Sequence, residues 1–300
     1  MPFFIWAQKS HLKIVAKLYF KNNGYEFALE PTVKNRFVFS EEIISFADVY
    51  YSTLQRQFLG RGHEESKLKA EFKQDPSGIA SYIYPAISSW IVYHFHDTSE
   101  TAAVKRRSSI RDNEKLRPNA SNLAAFLLLL QKKNELSYHS IRDAVRLVAP
   151  FFNDFKLRPT EEKSDEIELE WVQFQSDYPF HASQLSDGSL RFICLVTALL
   201  QPDPPTTILI DEPELGLHPY ALTILASLIK KASQRTQVIV STQSASLLDY
   251  FEPEDIIVVD RVDGESVFKR PNAEQLQEWL TQYSLGELWQ KNLFGGRPKK

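Results

Sequence analysis

The sequence predicts an α/β protein with a parallel core sheet in its C-terminal half, an N-terminal antiparallel meander and a helical insertion between them. Three observations carry this. Thr206–Ile210 and Gln237–Ser241 are short β-branched apolar runs separated by a helical pattern, as expected for parallel strands buried on both faces. Residues 12–20 and 25–29 alternate apolar and polar about Asn22-Asn23-Gly24, as in a half-buried hairpin. Residues 122–132 and 140–148 carry helical periodicity, and in the second Ile141, Ala144, Val145 and Val148 fall on one face.

Taken in order, Leu12, Ile14, Ala16, Leu18 and Phe20 line one side of the first strand, and Tyr25, Phe27 and Leu29 line the next. Arg36–Phe39 suggests a third strand. Residues 60–78 are charged and rich in turn formers, which predicts a surface helix or mobile insertion. Ile83–Phe95 is apolar and aromatic and reads as one or two core strands, with His94 and His96 alternating about Phe95. Residues 99–118 are polar and include Lys105-Arg106-Arg107, a solvated loop by default. A short loop, 133–137, joins the two central helices, and Pro150 ends that unit. Ile167, Leu169 and Trp171 alternate with glutamates and predict one antiparallel strand. The acidic stretch from Glu161 reads as a solvated face.

The C-terminal half carries the chemistry. Leu185-Ser186-Asp187-Gly188-Ser189 precedes a segment that is apolar nearly all round, hence a buried helix. Such a Ser/Gly turn is either an ordinary N-cap or an anion site, because the first N–H groups of the helix are free at its positive end. Thr206–Ile210 runs into Asp211 and Glu212, two carboxylates at the C-terminal end of a parallel strand, where ligands bind in open α/β sheets. Side chains alternate along a strand, so one carboxylate can face a metal while the next faces a nucleophilic water. Pro219 opens an amphipathic helix bearing Ala221, Leu222, Leu225, Leu228, Ile229 and Ala232. Gln237–Ser241 then ends in Thr242-Gln243-Ser244. Asp255–Asp260 reads as a further buried strand, Asp263-Gly264 as a hairpin turn, and Gly295–Lys300 as a flexible basic tail.

In combination these pieces resemble the C-terminal lobe of an ABC-type ATPase head of the RecF/SMC/OLD-like branch, and more narrowly a predicted ATPase with an AAA-type core domain. The resemblance rests on the Ser186–Ser189 signature turn, the Asp211-Glu212 strand, Glu214-Leu215-Gly216-Leu217-His218-Pro219 and Thr242-Gln243-Ser244. It is supported by His94–Thr98, Tyr283–Trp289 and Gly295–Pro298. It implies a P-loop NTPase-like fold, with residues 1–155 as the remainder of the N-terminal lobe and 156–300 as the C-terminal lobe. It implies ATP and Mg²⁺ as cofactors, Asp211 holding the metal, Glu212 orienting or deprotonating the attacking water and Gln243 at the switch position. Ser186, Asp187, Gly188, Ser189 and His218 would contact nucleotide, across a dimer for the signature turn. Two positions depart from the family pattern: Asp187 stands where a first glycine is common, and Gln243 where histidine is frequent.

The chain has ten glycines, none in a G-x-x-x-x-G-K-[ST] string, and Gly60-Arg61-Gly62-His63 has the wrong spacing. The expectation is therefore a family member lacking the N-terminal phosphate-binding strand and helix. It would act in a homodimer or in a hetero-complex with a P-loop-containing subunit. The alternative is a truncated or degenerate non-catalytic subunit docking on an intact ATPase. A metal-dependent nuclease would need an acidic cluster, for which Asp260 and Asp263 are the sole candidates. Two histidines, His94 and His96, do not make a metal site without a third ligand.

At 300 residues, 43% hydrophobic and 24% charged, the composition is that of a globular protein of one large or two modest domains. A net charge of −3 gives no global signal for nucleic acid. The single cysteine, Cys194, excludes an internal disulfide and suits a reducing cytoplasm. Met1–Trp6 lacks the basic flank of a signal peptide, and the longest apolar run, Leu123–Leu130, is well short of a membrane span.

Overall fold

The computed structural model describes residues 4–8, 13–48, 53–160, 162–263 and 265–296. Leu12, Glu161, Gly264 and the tail from residue 297 lie outside the described residues. The chain forms two compact units, 1–90 and 91–300. Residue 155, the boundary expected between lobes, lies inside the second unit.

The first unit is an antiparallel meander of five strands in sequential order: β1 (Phe4–Gln8), β2 (Lys13–Phe20), β3 (Asn23–Pro31), β4 (Phe37–Asp48) and β5 (Thr53–Gly60). The expected third strand is longer than its pattern suggested, and β5 was not foreseen, because Thr53–Gly60 mixes polar residues on both faces. The β2–β3 turn falls one residue earlier than expected. Phe20 pairs with Asn23, so Lys21 and Asn22 make the turn, with Lys21 at φ +56°. Gly24 is instead a strand residue whose missing Cβ makes room for the Ser45 hydroxyl. Two helices follow, α1 (Leu68–Gln74) and α2 (Ala80–Ser88). The latter corrects the expectation of strands from Ile83. Ile79, Ile83 and Ile87 recur every fourth residue and pack on Leu18, Tyr25 and Ile44, so the helical period wins despite Pro85.

The second unit begins with β6 (Ile91–Tyr93) and continues through β7 (Ser108–Ser109), α3 (Leu123–Lys133), α4 (Glu135–Val148), β8 (Phe152–Lys156), β9 (Glu166–Ile167), β10 (Glu170–Gln173) and β11 (Phe180–His181). Then come α5 (Asp187–Leu200), β12 (Thr207–Asp211), α6 (Pro219–Ser233), β13 (Gln237–Ser241), α7 (Ala245–Leu248), β14 (Val258–Val262), β15 (Glu265–Lys269), α8 (Ala273–Leu280) and α9 (Leu285–Gln290). Its centre is a parallel sheet in the order β13–β12–β6. Ile208 and Ile210 of β12 are buried in one core with Tyr93, α3, α5 and α6. Residues 192–200 of α5 are all buried, as an all-round apolar helix must be.

Local details differ from expectation. The loop between α3 and α4 is a single residue, Asn134, whose side chain caps α4 by accepting from the Ser137 N–H. Ile167, Leu169 and Trp171 are all buried but do not share a strand: Ile167 lies in β9, which pairs with β7, Trp171 in β10, which pairs with β8 and β11, and Leu169 falls in the connection between them. The run at 255–260 is not a buried strand: β14 pairs only with β15 among the described residues, and Ile257 and Val259 are 52% and 49% exposed. Within the basic cluster, Arg107 pairs with Glu162 and Glu168, and Lys105 is largely buried, donating to the Thr98 carbonyl. No helix among the described residues is long and apolar enough to cross a membrane.

Candidate functional site

Parallel pairing sets the site. Asp211 and Ser241 are register partners at the C-terminal ends of β12 and β13, and the Ser241 hydroxyl donates to Asp211 Oδ1. The strand ends there because Glu212 turns into the left-handed region at φ +38°, its N–H donating to the Ser241 carbonyl. That conformation is uncommon for a residue with a side chain, and here it places Glu212 Oε1 3.0 Å from the Gln243 amide nitrogen, which donates to it. His96, just beyond β6, brings Nε2 to 3.8 Å from Asp211 Oδ2. The three adjacent strands thus deliver His96, Asp211 with Glu212, and Gln243 to one end of the sheet.

The turn after Glu212 is held from two directions. The Thr242 hydroxyl donates to Glu214 Oε1, while Glu214 Oε2 is buried without a partner. Gly216 sits at φ +73°, a conformation glycine adopts without the Cβ penalty. Arg191 of α5 donates from Nε to the Phe95 carbonyl, from Nη2 to the His96 carbonyl (3.1 Å each) and from Nη1 to the Leu215 carbonyl. One guanidinium therefore ties the loop after β6 and the loop after β12 to the helix that follows the signature turn. His218 caps α6 through Nδ1, which accepts the Tyr220 N–H at 3.2 Å.

The signature turn is a true N-cap. Ser186 Oγ accepts from the Ser189 N–H at 3.1 Å and donates to Ser189 Oγ at 2.9 Å. The Asp187 and Gly188 N–H groups lie in the first turn of α5 and have no intrahelical partner. Asp187 lies 3.9 Å from Lys105 Nζ. A Cβ on Gly188 would collide with the Gly216 carbonyl, so the signature glycine is required for close backbone approach. Among the described residues no hydrogen bond links Ser186 or Ser189 to Asp211, Glu212 or Gln243; the signature turn meets the loop after Glu212 through the close Gly188–Gly216 backbone approach and the Arg191 tie.

The remaining candidates resolve differently. His94 is exposed and its backbone N–H donates to Pro118. Among the described residues no three His, Cys, Asp or Glu side chains cluster to hold a metal. Asp260 accepts from the Gly296 N–H at 2.8 Å and anchors the C-terminal turn, where Gly295 and Gly296 both have positive φ. The Cys194 thiol is fully buried, which pushes its pKa up to about 12 and makes it inert. Sequence reasoning missed Arg191, Ser241, Thr242 and Glu214 as site residues. The first is a lone basic residue in an apolar helix, the one signal that marked it.

Residues 20–249 match the family model described as "AAA domain, putative AbiEii toxin, Type IV TA system". The match spans most of the chain, and the protein belongs to this AAA-domain family, with the P-loop NTPase fold. Among curated proteins it is 24% identical over 166 residues to the phosphate import ATP-binding protein PstB of Ehrlichia ruminantium (strain Gardel), covering 52% of this chain and 64% of PstB. It is 36% identical over 74 residues to the Old nuclease of Escherichia phage P2, covering 24% of this chain and 13% of that protein. The chain thus spans less than two thirds of the length of these relatives. Among solved structures, an SmcHead bound to the C-winged helix domain of ScpA aligns with a TM-score of 0.47 at 14% identity, covering 86% of this chain and 76% of that one.

Proposed function

We propose that the chain contributes the signature, Asp-Glu and switch elements of an ATP-hydrolysing site. The observation that carries this reading is the Gln243–Glu212 hydrogen bond beside the Asp211–Ser241 pair, on neighbouring parallel strands. The residues fit Mg²⁺-ATP. Asp211 is a half-exposed carboxylate that, among the described residues, belongs to no cluster of three metal-ligating side chains, which suits a hard cation held by one carboxylate, water and substrate phosphates.

In this reading Asp211 holds Mg²⁺, oriented by the Ser241 hydroxyl. The ion, when bound, neutralises charge on the phosphate oxygens. Glu212 is the general base, and the Gln243 amide holds its carboxylate so that the second oxygen faces the water. The Ser186 hydroxyl, the Asp187 and Gly188 N–H groups and Ser189 form an anion site for the γ-phosphate of nucleotide bound by another subunit. His218, with Nδ1 engaged in its cap, presents Nε2 to ligand. The G-x-x-x-x-G-K-[ST] loop, found nowhere in these 300 residues, comes from another segment of the protein or from a different, P-loop-containing subunit. Functionally, residues 156–300 carry all four motifs, and 1–155 supply the rest of the first lobe.

The test is Glu212→Gln in the assembled ATPase. The variant is expected to bind ATP and hold it unhydrolysed, since the amide cannot take the proton of the attacking water. Turnover at the wild-type rate would remove Glu212 as the base.

A further inference from the structure

Between Leu190 and Leu200, α5 carries one charged residue, Arg191. Its side chain is half-buried, and among the described residues no carboxylate pairs with it, whereas Arg107 and Arg117 each hold an acidic partner. Setting an unpaired charge against a packed helix costs free energy, so packing alone gives no reason for an arginine here. The guanidinium is instead spent on three carbonyls: Nε on Phe95 and Nη2 on His96, 3.1 Å each, and Nη1 on Leu215. Among the described residues no backbone N–H donates to any of the three. The guanidinium also lies against Gly216, where a Cβ would come within 3.2 Å of Nη1, and the Gly216 carbonyl is in turn packed against Gly188.

These contacts hold the two segments that carry polar groups to the end of the sheet. His96, whose carbonyl is gripped, brings Nε2 to 3.8 Å from Asp211 Oδ2. Leu215 closes the turn that begins at Glu212, its N–H donating to the Glu212 carbonyl at 3.3 Å. Glu212 itself sits at φ +38°, a conformation that persists in a residue with a side chain only when its surroundings impose it. We propose that Arg191 is a positioning residue for hydrolysis. Its fork locks the turn after Glu212 and the Phe95–His96 loop together, and so aims the Glu212 carboxylate at the attacking water. The inference rests on the reading of Glu212 as the base. A planar guanidinium can serve three fixed carbonyls at once, and the compact ammonium of a lysine cannot. Arg191 touches neither nucleotide nor reacting atoms in this scheme, so its loss slows turnover and spares nucleotide affinity.

The test uses Arg191→Met, which keeps an unbranched apolar stem, and Arg191→Lys, which keeps stem and charge. Both are assayed in the assembled ATPase, well below their melting temperatures. In each, kcat should fall about tenfold to a hundredfold, the effect of displacing a catalytic group by about 1 Å, while KM for ATP and the Kd of a fluorescent ATP analogue stay within about twofold of wild type. Added to Glu212→Gln, Arg191→Met should lower the residual rate no further, since the two act as one unit. In the full chain alone, Arg191→Met should shift the His96 ring resonances, assigned by their loss in His96→Gln, and speed exchange of the Leu215 amide without changing the amides of 194–200. Full kcat in Arg191→Lys would show that charge suffices and overturn the fork. Additive loss with Glu212→Gln, parallel losses of kcat and ATP affinity, or unchanged His96 resonances would each reduce Arg191 to a structural residue and overturn the proposal. Wild-type kcat in Arg191→Met while Glu212→Gln still holds ATP unhydrolysed would overturn this proposal alone. Wild-type turnover by Glu212→Gln would overturn the base assignment and this inference with it.

Discussion

Gly188 illustrates how a motif residue is set by packing as much as by chemistry. Its Cα faces the Gly216 carbonyl, backbone against backbone, and neither partner is a flexible side chain that can swing away. Gly188→Ala should therefore cost about 1–3 kcal/mol, the usual penalty for overpacking a tight contact, and should lower the melting temperature as well as any signature-dependent association. Alanine at Ser189, which keeps the backbone intact, serves as the comparison. Asp187 is the opposite case, a side chain tolerated by the fold but adverse to the proposed ligand. Its carboxylate stabilises the positive end of α5 and lies near Lys105. Asp187→Gly should tighten binding of ATP across the interface severalfold, because an exposed charge in this position is worth at most about 1 kcal/mol. A nucleotide titration of the assembled complex checks it.

Among the elements, β4 carries the least expected feature. Glu42 is fully buried in the first unit, yet it accepts from Tyr25 Oη at 2.6 Å, from Ser66 Oγ and from the Lys67 N–H at 3.0 Å, and lies 2.8 Å from His63 Nε2. Burial alone would raise its pKa, but these hydrogen bonds outweigh it and hold the carboxyl below its ordinary value of 4.5. A depressed folded-state pKa means that the carboxylate stabilises the unit at pH above 4.5, and that this contribution drains away as pH falls through the lowered value. Acid titration followed by circular dichroism should show a loss of stability below pH about 4.5 that is flattened in Glu42→Gln. That variant should also be less stable at neutral pH by about 1–3 kcal/mol, since its amide protons would face donors. The network pins the loop from His63 to Lys67 onto the sheet.

For the whole molecule, the larger core is self-contained. Every buried residue of the cluster around α5 lies between Tyr93 and Ala232. Residues 91–300 expressed by themselves should therefore keep a cooperative thermal transition in near-ultraviolet circular dichroism. A gradual, sigmoid-free melt would show that the first unit is needed to fold the second. The same core explains the asymmetry of the parallel sheet. Its inner face is covered by helices drawn from 123–148, 187–200 and 219–233, and those helices leave the Leu209 face open.

The order and chemistry of the motifs were legible in the linear chain because they are local. The apolar run into Asp211-Glu212, the all-round apolar α5 behind its Ser186 cap, and Gln243 at the end of a second β-branched run each follow from spacing and side-chain type. Where periodicity was short or mixed, at β5, α2 and the split of Ile167 from Trp171, tertiary pairing decided, because several backbone shapes satisfy so few residues. Periodicity also says that a residue prefers burial but not which distant element buries it. The Arg191 tie to Phe95 and His96, nearly a hundred positions away, the left-handed turn of Glu212 onto Gln243, and the contact of Gly188 with Gly216 exist only once remote segments meet. Ile239 and Val259 carry the same limit in reverse: their side chains are as apolar as any core strand's, and only the fold shows that nothing among the described residues fully covers them.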